Sequence, residues 1–213
     1  MHTIGSTDLV PLFESWSTLF TEKRDELIAL DGKVGDSDLG ITMSKGFAAA
    51  LEAVRAEGSE ASLAKRFKTA GAAMARAAPS TMGTLTATGF MRAGKALDGV
   101  TELGVPEIAI FWSAFRDGIG ERGKAKPGDK TILDVLYPLT AEMEAQAAAG
   151  TDLASALATG ARTAEDALEA TKTMTAQHGK AAAFREKTVG LQDAGATVAA
   201  LMARGLFDFA VAH

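Results

Sequence analysis

Apolar residues recur at intervals of three and four along almost the whole chain, and this spacing constrains the fold more than any other feature. Residues three and four apart lie on one face of an α-helix. We count eight such series and find no convincing strand, so the sequence predicts an all-α protein. The series occupy residues 9–20, 43–54, 63–74, 82–97, 108–119, 132–143, 153–168 and 198–209, with the first helix ending near residue 30.

The length and the alanine content favour one helical domain over residues 1–213. A chain of 213 residues can bury one sizeable core. Alanine has the best helix propensity, and its small side chain lets helices approach closely. We therefore predict an eight-helix antiparallel up-and-down barrel or bundle with its site loops at one end. The aromatic residues at helical spacing are assigned to the core, and they include Phe13, Trp16, Phe67, Trp112 and Phe115.

Four glycine-rich and polar segments interrupt the helical pattern, at residues 31–40, 79–84, 123–131 and 177–197. They follow the first, third, fifth and seventh predicted helices. In an up-and-down array every second connection falls at the same end. We therefore expect all four segments to meet at one end of the molecule and to build a single site.

The first interruption contains three carboxylates, Asp31, Asp36 and Asp38, with glycines between them. Such carboxylates repel one another unless a cation lies among them, and hard oxygen ligands suit magnesium or calcium. A calcium EF-hand does not fit, because Gly40, Ile41 and Phe47 stand at required positions of that loop. Magnesium is the better candidate. The alternative is a solvated linker in which Asp38 caps the next helix.

The other interruptions carry weaker signals. Residues 118–124 match G-x-x-x-x-G-K, but no strand precedes them and Ala125 replaces the required hydroxyl residue, so we reject the phosphate-loop and dinucleotide-fold interpretations. Asp129 is expected to cap the sixth helix. Two of the three lysines Lys124, Lys126 and Lys130 are expected to be solvated, and the remaining one to be solvated or near a phosphate.

Composition excludes several other functions. The net charge is −5 and the 22 basic residues are scattered, which argues against nucleic acid as a partner. The chain has no cysteine, and a Ser-His-Asp triad would depend on His178 alone because His2 and His213 are terminal. We see no signal peptide and no run of about 18 apolar residues. The expectation is a soluble cytoplasmic protein with no membrane partner.

Three motifs in order resemble the L subunit of dihydroxyacetone kinases. They are the acidic loop at 31–40, the run RGKAKPGDKT at 122–131 and the run VGLQDAGAT at 189–197. The resemblance covers essentially the whole chain. It implies an eight-helix barrel that binds ADP or ATP through two magnesium ions. It also implies a K subunit that carries the ketose, and in one branch a phosphohistidine phosphotransferase subunit.

The resemblance also implies site residues, and three of them depart from the family pattern. Leu39 stands where many members have histidine, Met82 where they have a phosphate-binding serine, and Lys187 where they have arginine. The implied metal ligands are Asp31, Asp36 and Asp38, and Lys187 is the expected catalytic residue. The implied nucleotide-binding residues are Leu39, Thr42, Ser80, Thr81, Met82, Gly83, Gly123, Ile132, Lys187, Asp193, Ala194 and Gly195.

These expectations lead to a kinase subunit that brings phosphate to a sugar bound elsewhere. The phosphate donor is either Mg-ATP or a retained ADP that a phosphotransferase partner rephosphorylates. An alternative is a nucleotide-sensing protein of the same fold that carries out no transfer. A third interpretation is a helical scaffold with a fortuitous acidic loop.

Overall fold

A computed structural model describes residues 2–213, and over these residues the chain forms nine α-helices and two strands of two residues each. Two 3-10 segments, Thr171–Thr173 and Lys180–Thr188, lie between the last two α-helices. The predicted all-α class is confirmed. The strands are β1 (Ile4–Gly5) and β2 (Glu102–Leu103), and the helices are α1 (Leu9–Glu22), α2 (Arg24–Asp31), α3 (Leu39–Ala56), α4 (Leu63–Ala77), α5 (Thr81–Ala96), α6 (Val105–Gly123), α7 (Leu133–Ala149), α8 (Leu153–Ala170) and α9 (Ala194–Ala212).

The eight longer helices form a closed ring. Helix α1 packs against α3, each helix from α3 to α8 packs against the next, and α9 returns to α1. The indole Nε1 of Trp16 on α1 donates a hydrogen bond to the carbonyl oxygen of Met202 on α9 at 3.1 Å, at the point where the ring closes. The short helix α2 lies against α3.

An aromatic cluster fills the centre of the ring. Phe90 on α5 has its ring centroid 5.4 Å from that of Phe13 and 5.3 Å from that of Phe115. Phe47 on α3 stacks on Phe20 of α1 at 4.3 Å. The aromatic residues that we assigned to the core are all buried: Phe13, Trp16, Phe67, Trp112 and Phe115.

Two predictions about secondary structure are wrong. The first predicted helix is divided at Lys23 into α1 and α2, and α2 packs so closely on α3 that a Cβ atom at Gly40 would lie 2.0 Å from the carbonyl oxygen of Arg24. The chain also contains strand pairing, with Ile4 opposite Leu103. Both features depend on contacts between distant segments, and strands of two residues are too short to show an alternating pattern.

Helix α9 is the most apolar helix of the described chain. Its 19 residues and a mean hydropathy of 1.4 would suffice, by length and composition, to cross a membrane. However, 61% of that apolar window is buried inside the bundle. Such a helix is also typical of one that packs against several neighbours, and α9 contacts α1, α7 and α8.

Candidate functional site

The four interruptions of the helical pattern line one cavity of about 630 Å³. The segments follow α2, α4, α6 and α8, so successive long helices must run in opposite directions to bring them to one end. The prediction that the four segments meet at one end of the molecule is therefore confirmed. Each segment contributes side chains to the lining, among them Asp36, Ser80, Lys130 and Asp193.

The acidic loop gathers its three carboxylates at one side of the cavity. Oxygen atoms of Asp31, Asp36 and Asp38 all lie within 4.8 Å of one another. Partial burial and the neighbouring charge of Asp31 raise the pKa of Asp38. Three carboxylates this close are stabilised by a cation among them, and a set of oxygen ligands alone suits magnesium. These residues therefore fit the metal that the sequence suggests.

Asp31 also fixes the start of α3. Its Oδ2 accepts hydrogen bonds from the backbone N–H groups of Asp38 at 3.0 Å and Leu39 at 3.3 Å. Asp38 occupies the N-cap position of α3 but its side chain makes no capping hydrogen bond. The idea that Asp38 caps this helix is therefore wrong, and its carboxylate is left for the cavity.

A glycine allows the acidic loop to fold this tightly. A Cβ atom at Gly35 would lie 2.1 Å from Oδ1 of Asp31 and 2.8 Å from its carbonyl oxygen. Ser37, in the same loop, has a left-handed backbone with φ of 64°. A side chain at residue 35 would displace the Asp31 carboxylate from the cluster.

A lysine from the fourth segment contacts the acidic loop. Nζ of Lys180 pairs with Oδ2 of Asp36, and Lys180 lines the cavity. Lys187, the expected catalytic residue, is exposed and does not line the cavity. The structure therefore brings Lys180, and not Lys187, to the acidic cluster. The chain turns between them, because Arg185 adopts a left-handed φ of 48°.

The second segment places hydroxyl groups and a helix N-terminus at the cavity. Ser80 is the N-cap of α5, and its Oγ accepts a hydrogen bond from the backbone N–H of Gly83 at 3.1 Å. Thr42 donates its own hydroxyl to Ser80 Oγ at 3.0 Å. Ser80, Thr81 and Met82 line the cavity, whereas Thr42 and Gly83 do not line it and are hydrogen-bonded to Ser80. The free N–H groups of a helix N-terminus favour anions such as phosphate.

In the third segment the backbone is bound by Asp134, whereas the sequence singled out Asp129. Asp134 accepts hydrogen bonds from the N–H groups of Gly128 at 2.5 Å and Thr131 at 2.7 Å. Asp129 does not cap α7. Its carboxylate instead accepts from the N–H of Lys126 at 2.8 Å and meets Nε2 of His178 at 3.0 Å.

The three lysines of this segment have different environments. Lys124 and Lys126 are exposed, as expected for two of the three, whereas Lys130 is buried. Gly123, Lys130 and Ile132 line the cavity.

The start of α9 forms the far wall. Asp193 is its N-cap, and Oδ2 accepts a hydrogen bond from the N–H of Ala196 at 2.7 Å. Burial raises the pKa of Asp193 to about 6, while the nearby Lys130 charge lowers it and Asp134 raises it. Ala194 and Gly195 line the cavity beside Asp193, as does Leu39 beside the acidic loop.

Apolar residues complete the lining, and the sequence did not single them out. Three of them lie on helices, where from the sequence they look like ordinary core residues, and the other two lie in loops. An apolar wall next to anion-binding groups suits a ligand with a flat ring and a phosphate chain. These residues are Leu85, Ile119, Ala125, Leu133 and Leu191.

The fold and the cavity define an all-helical protein with a cluster of carboxylates and a helix N-terminus at one end. Comparison with known proteins gives its family. A model of the DAK2-domain family matches residues 33–208. The chain therefore belongs to the DAK2-domain family, which confirms the resemblance seen in the sequence.

Individual relatives agree with this assignment. The chain is 30% identical over 195 residues to the ADP-binding subunit DhaL of the PEP-dependent dihydroxyacetone kinase of Escherichia coli K12, covering 92% of both proteins. It is 34% identical over 208 residues to D-erythrulose kinase of Mycolicibacterium smegmatis, covering 96% of this chain and 35% of that enzyme. These relatives are kinases that phosphorylate alcohol groups.

A solved structure shows the same fold. The dihydroxyacetone kinase of C. freundii in complex with AMP-PNP and Mg2+ superposes with a TM-score of 0.70 at 22% identity. The match covers 93% of this chain and 33% of that one. At this identity the comparison speaks for the fold alone.

Proposed function

We propose that this chain is the nucleotide-binding, phosphoryl-transferring subunit of a kinase for dihydroxyacetone or a related short ketose. The observation that carries the proposal is the arrangement of three carboxylates opposite a helix N-terminus and a lysine in one cavity with an apolar wall. Membership of the DAK2-domain family and similarity to an ADP-binding subunit support it.

Each wall of the cavity has a part in this proposal. Asp31, Asp36 and Asp38 would hold two magnesium ions, which when bound neutralise charge on the β- and γ-phosphates. Ser80, Thr81 and the first N–H groups of α5 bind phosphate oxygens. Met82 stands at the position of the family's serine and has no hydroxyl group, so Ser80, which lines the cavity, binds the phosphate in its place.

Lys180 takes the role that the sequence assigned to Lys187. A cation beside the acidic cluster is positioned to contact a terminal phosphate, and the exposed Lys187 is not. Lysine binds phosphate as a point charge and lacks the bidentate fork of arginine. The apolar wall, Gly123, Ile132 and residues 193–195 then frame the base and the sugar of the nucleotide.

The ketose is expected on a separate K subunit in the cytoplasm. The name of the Escherichia coli relative describes a subunit, and the single-chain erythrulose kinase is about three times as long as the part that this chain matches. In this proposal the chain supplies the nucleotide end of an in-line transfer, and the reacting hydroxyl belongs to the sugar on the partner.

Two measurements test the proposal. Calorimetric titration with ADP or ATP should show binding that depends on magnesium and disappears in excess chelator. Addition of a cognate K subunit and dihydroxyacetone should then give phosphate transfer. Binding without any transfer would favour the nucleotide-sensing alternative, and absence of nucleotide binding would leave only the scaffold interpretation.

The phosphate donor needs its own experiment. A retained ADP coenzyme, rephosphorylated by a phosphohistidine partner, predicts close to one equivalent of ADP in protein purified without added nucleotide. Chromatography of the acid-quenched protein measures this. An empty protein that turns over steadily with ATP and a K subunit alone would identify ATP as the exchangeable donor.

A further inference from the structure

Lys130 is a buried cation whose ammonium group binds backbone oxygens. Only 3% of the residue is exposed. Its Nζ donates hydrogen bonds to the carbonyl oxygens of Met174 at 3.1 Å, Thr188 at 2.5 Å and Leu191 at 2.7 Å. All three acceptors belong to residues 174–191, which we call the C-terminal loop. The three hydrogens of the ammonium group therefore have one acceptor each, all on this loop.

Stability alone does not explain a lysine here. Burying an ammonium group is costly unless it is paired, and in the described part of the chain Lys130 makes hydrogen bonds but no ion pair. Its backbone also adopts a left-handed φ of 59°. Burial lowers the pKa of Lys130, and the nearby charge of Asp193 opposes this shift. An apolar side chain would fill the same space without burying a charge.

The C-terminal loop carries the cation that faces the acidic cluster. Residues 178–181 of this loop line the cavity, and Lys180 forms an ion pair with Asp36 there. The loop contains one irregular 3-10 segment with Arg185 in a left-handed conformation. Regular helical hydrogen bonding therefore does not fix its path, and long-range contacts must do so.

The C-terminal loop has other attachments, and one of them is the contact of His178 Nε2 with the Asp129 carboxylate at 3.0 Å. The N–H of Gln177 donates to the carbonyl oxygen of Asp129 at 3.0 Å, and the N–H of Gly190 donates to that of Lys172 at 2.7 Å. Thr188 Oγ1 accepts from the N–H of Ala176 at 3.0 Å, which joins two parts of the loop to each other. Lys130 joins the beginning of the loop, at Met174, to its end, at Thr188 and Leu191.

We propose that Lys130 is a positioning residue, which draws together the two ends of the C-terminal loop so that Lys180 is held beside the acidic cluster. This inference rests on the proposed nucleotide site, because the positioned group is the one expected to contact phosphate. Lys130 acts through Lys180 and through the loop backbone.

The test compares Lys130→Met with matched variants of the same segment. Methionine fits the buried space without the charge. Lys124→Met and Lys126→Met, at exposed positions, are the controls. Lys130→Met should increase amide hydrogen exchange within residues 174–191 and weaken Mg-ADP binding by about tenfold or more, the size expected for loss of hydrogen bonds to a buried charge. The control variants should change neither.

A double-mutant cycle shows whether Lys130 acts through Lys180. Lys180→Ala should weaken Mg-ADP binding strongly in the wild-type background and little in the Lys130→Met background, because the loop no longer presents the lysine. Additive losses would overturn the proposal. Wild-type exchange and affinity in Lys130→Met would overturn it as well.

The proposal can still be tested if Lys130→Met does not fold or if the wild-type protein does not bind Mg-ADP. If Lys130→Met does not fold, Lys130→Arg keeps the charge but changes the hydrogen-bond geometry, and the same exchange and affinity measurements on it decide the matter. If the wild-type protein does not bind Mg-ADP, the proposed function fails. Amide hydrogen exchange within residues 174–191 then still shows whether Lys130 stabilises the conformation of the loop.

Discussion

The carboxylate of Asp31 accepts a hydrogen bond from the backbone N–H of Asp38 at 3.0 Å, so one candidate metal ligand fixes the position of another. The same oxygen accepts from Leu39, the first residue of α3. A change at Asp31 would therefore disturb both the helix start and the cluster. In the described structure the side chain of Asp36 is paired only with the exposed Lys180. Asp36 is therefore the better residue for testing whether the negative charge of the cluster is needed.

Asp36→Asn should weaken magnesium-dependent ADP binding by about tenfold or more, because one of three charged oxygen ligands is lost. Its exposed ion pair with Lys180 contributes little to stability, so the fold should persist. Calorimetry measures the affinity, and the rise in melting temperature with Mg-ADP should shrink in parallel. Asp166→Asn, at an exposed position away from the cavity, is the control. Undiminished affinity in Asp36→Asn would contradict the metal assignment.

Gly35→Ala should abolish magnesium-dependent nucleotide binding while the helical ring stays folded. The new Cβ atom would lie 2.1 Å from the Asp31 carboxylate, which must then leave the cluster. Gly58→Ala is the matched control, because a Cβ atom there would meet no atom within 4 Å. Circular dichroism checks the fold and calorimetry checks binding. Normal binding by Gly35→Ala would mean that the acidic loop does not need its described conformation.

Lys180→Ala should lower the affinity for ADP by about tenfold, the size expected for a charge-assisted contact, whereas Lys187→Ala should have little effect. The reason is position, since Lys180 lines the cavity and Lys187 does not. Both lysines are exposed, so neither change should alter the melting temperature much. The reverse order of affinities would restore Lys187 as the phosphate contact.

Asp193→Asn should change how stability depends on pH. Because the pKa of Asp193 is raised from 3.8 to about 6, the folded protein keeps a proton that the unfolded chain releases between these values. The wild type therefore loses stability from this group as the pH rises through that window, and its ionised form costs stability above it. Asparagine can still cap α9 but does not titrate.

The measurement compares urea unfolding of the two proteins at about pH 4 and about pH 7. The wild type should lose stability relative to Asp193→Asn by at most about 3 kcal/mol across this range. Comparing the two proteins at each pH removes the contribution of every other carboxylate. An identical difference at both pH values would show that Asp193 ionises as freely in the folded protein as in the unfolded chain.

The sequence by itself determined the all-α class, the positions of the loops and the three aspartates of the acidic cluster. These features are local. A helix depends on the spacing of apolar residues within a few turns, and the alternation of loops between the two ends follows from counting helices. The crowding of Asp31, Asp36 and Asp38 follows from their spacing within one glycine-rich turn.

Only the tertiary structure decided which side chains meet at the cavity. It brought Lys180 rather than Lys187 to the acidic cluster, made Asp31 rather than Asp38 the acceptor at the start of α3, and left α7 without the cap expected from Asp129. It also divided the first helix at Lys23 and buried Lys130 beneath the C-terminal loop. The physical reason is common to all of these. In irregular segments the direction of a side chain depends on single backbone dihedral angles and on partners far away in sequence, which apolar periodicity does not encode.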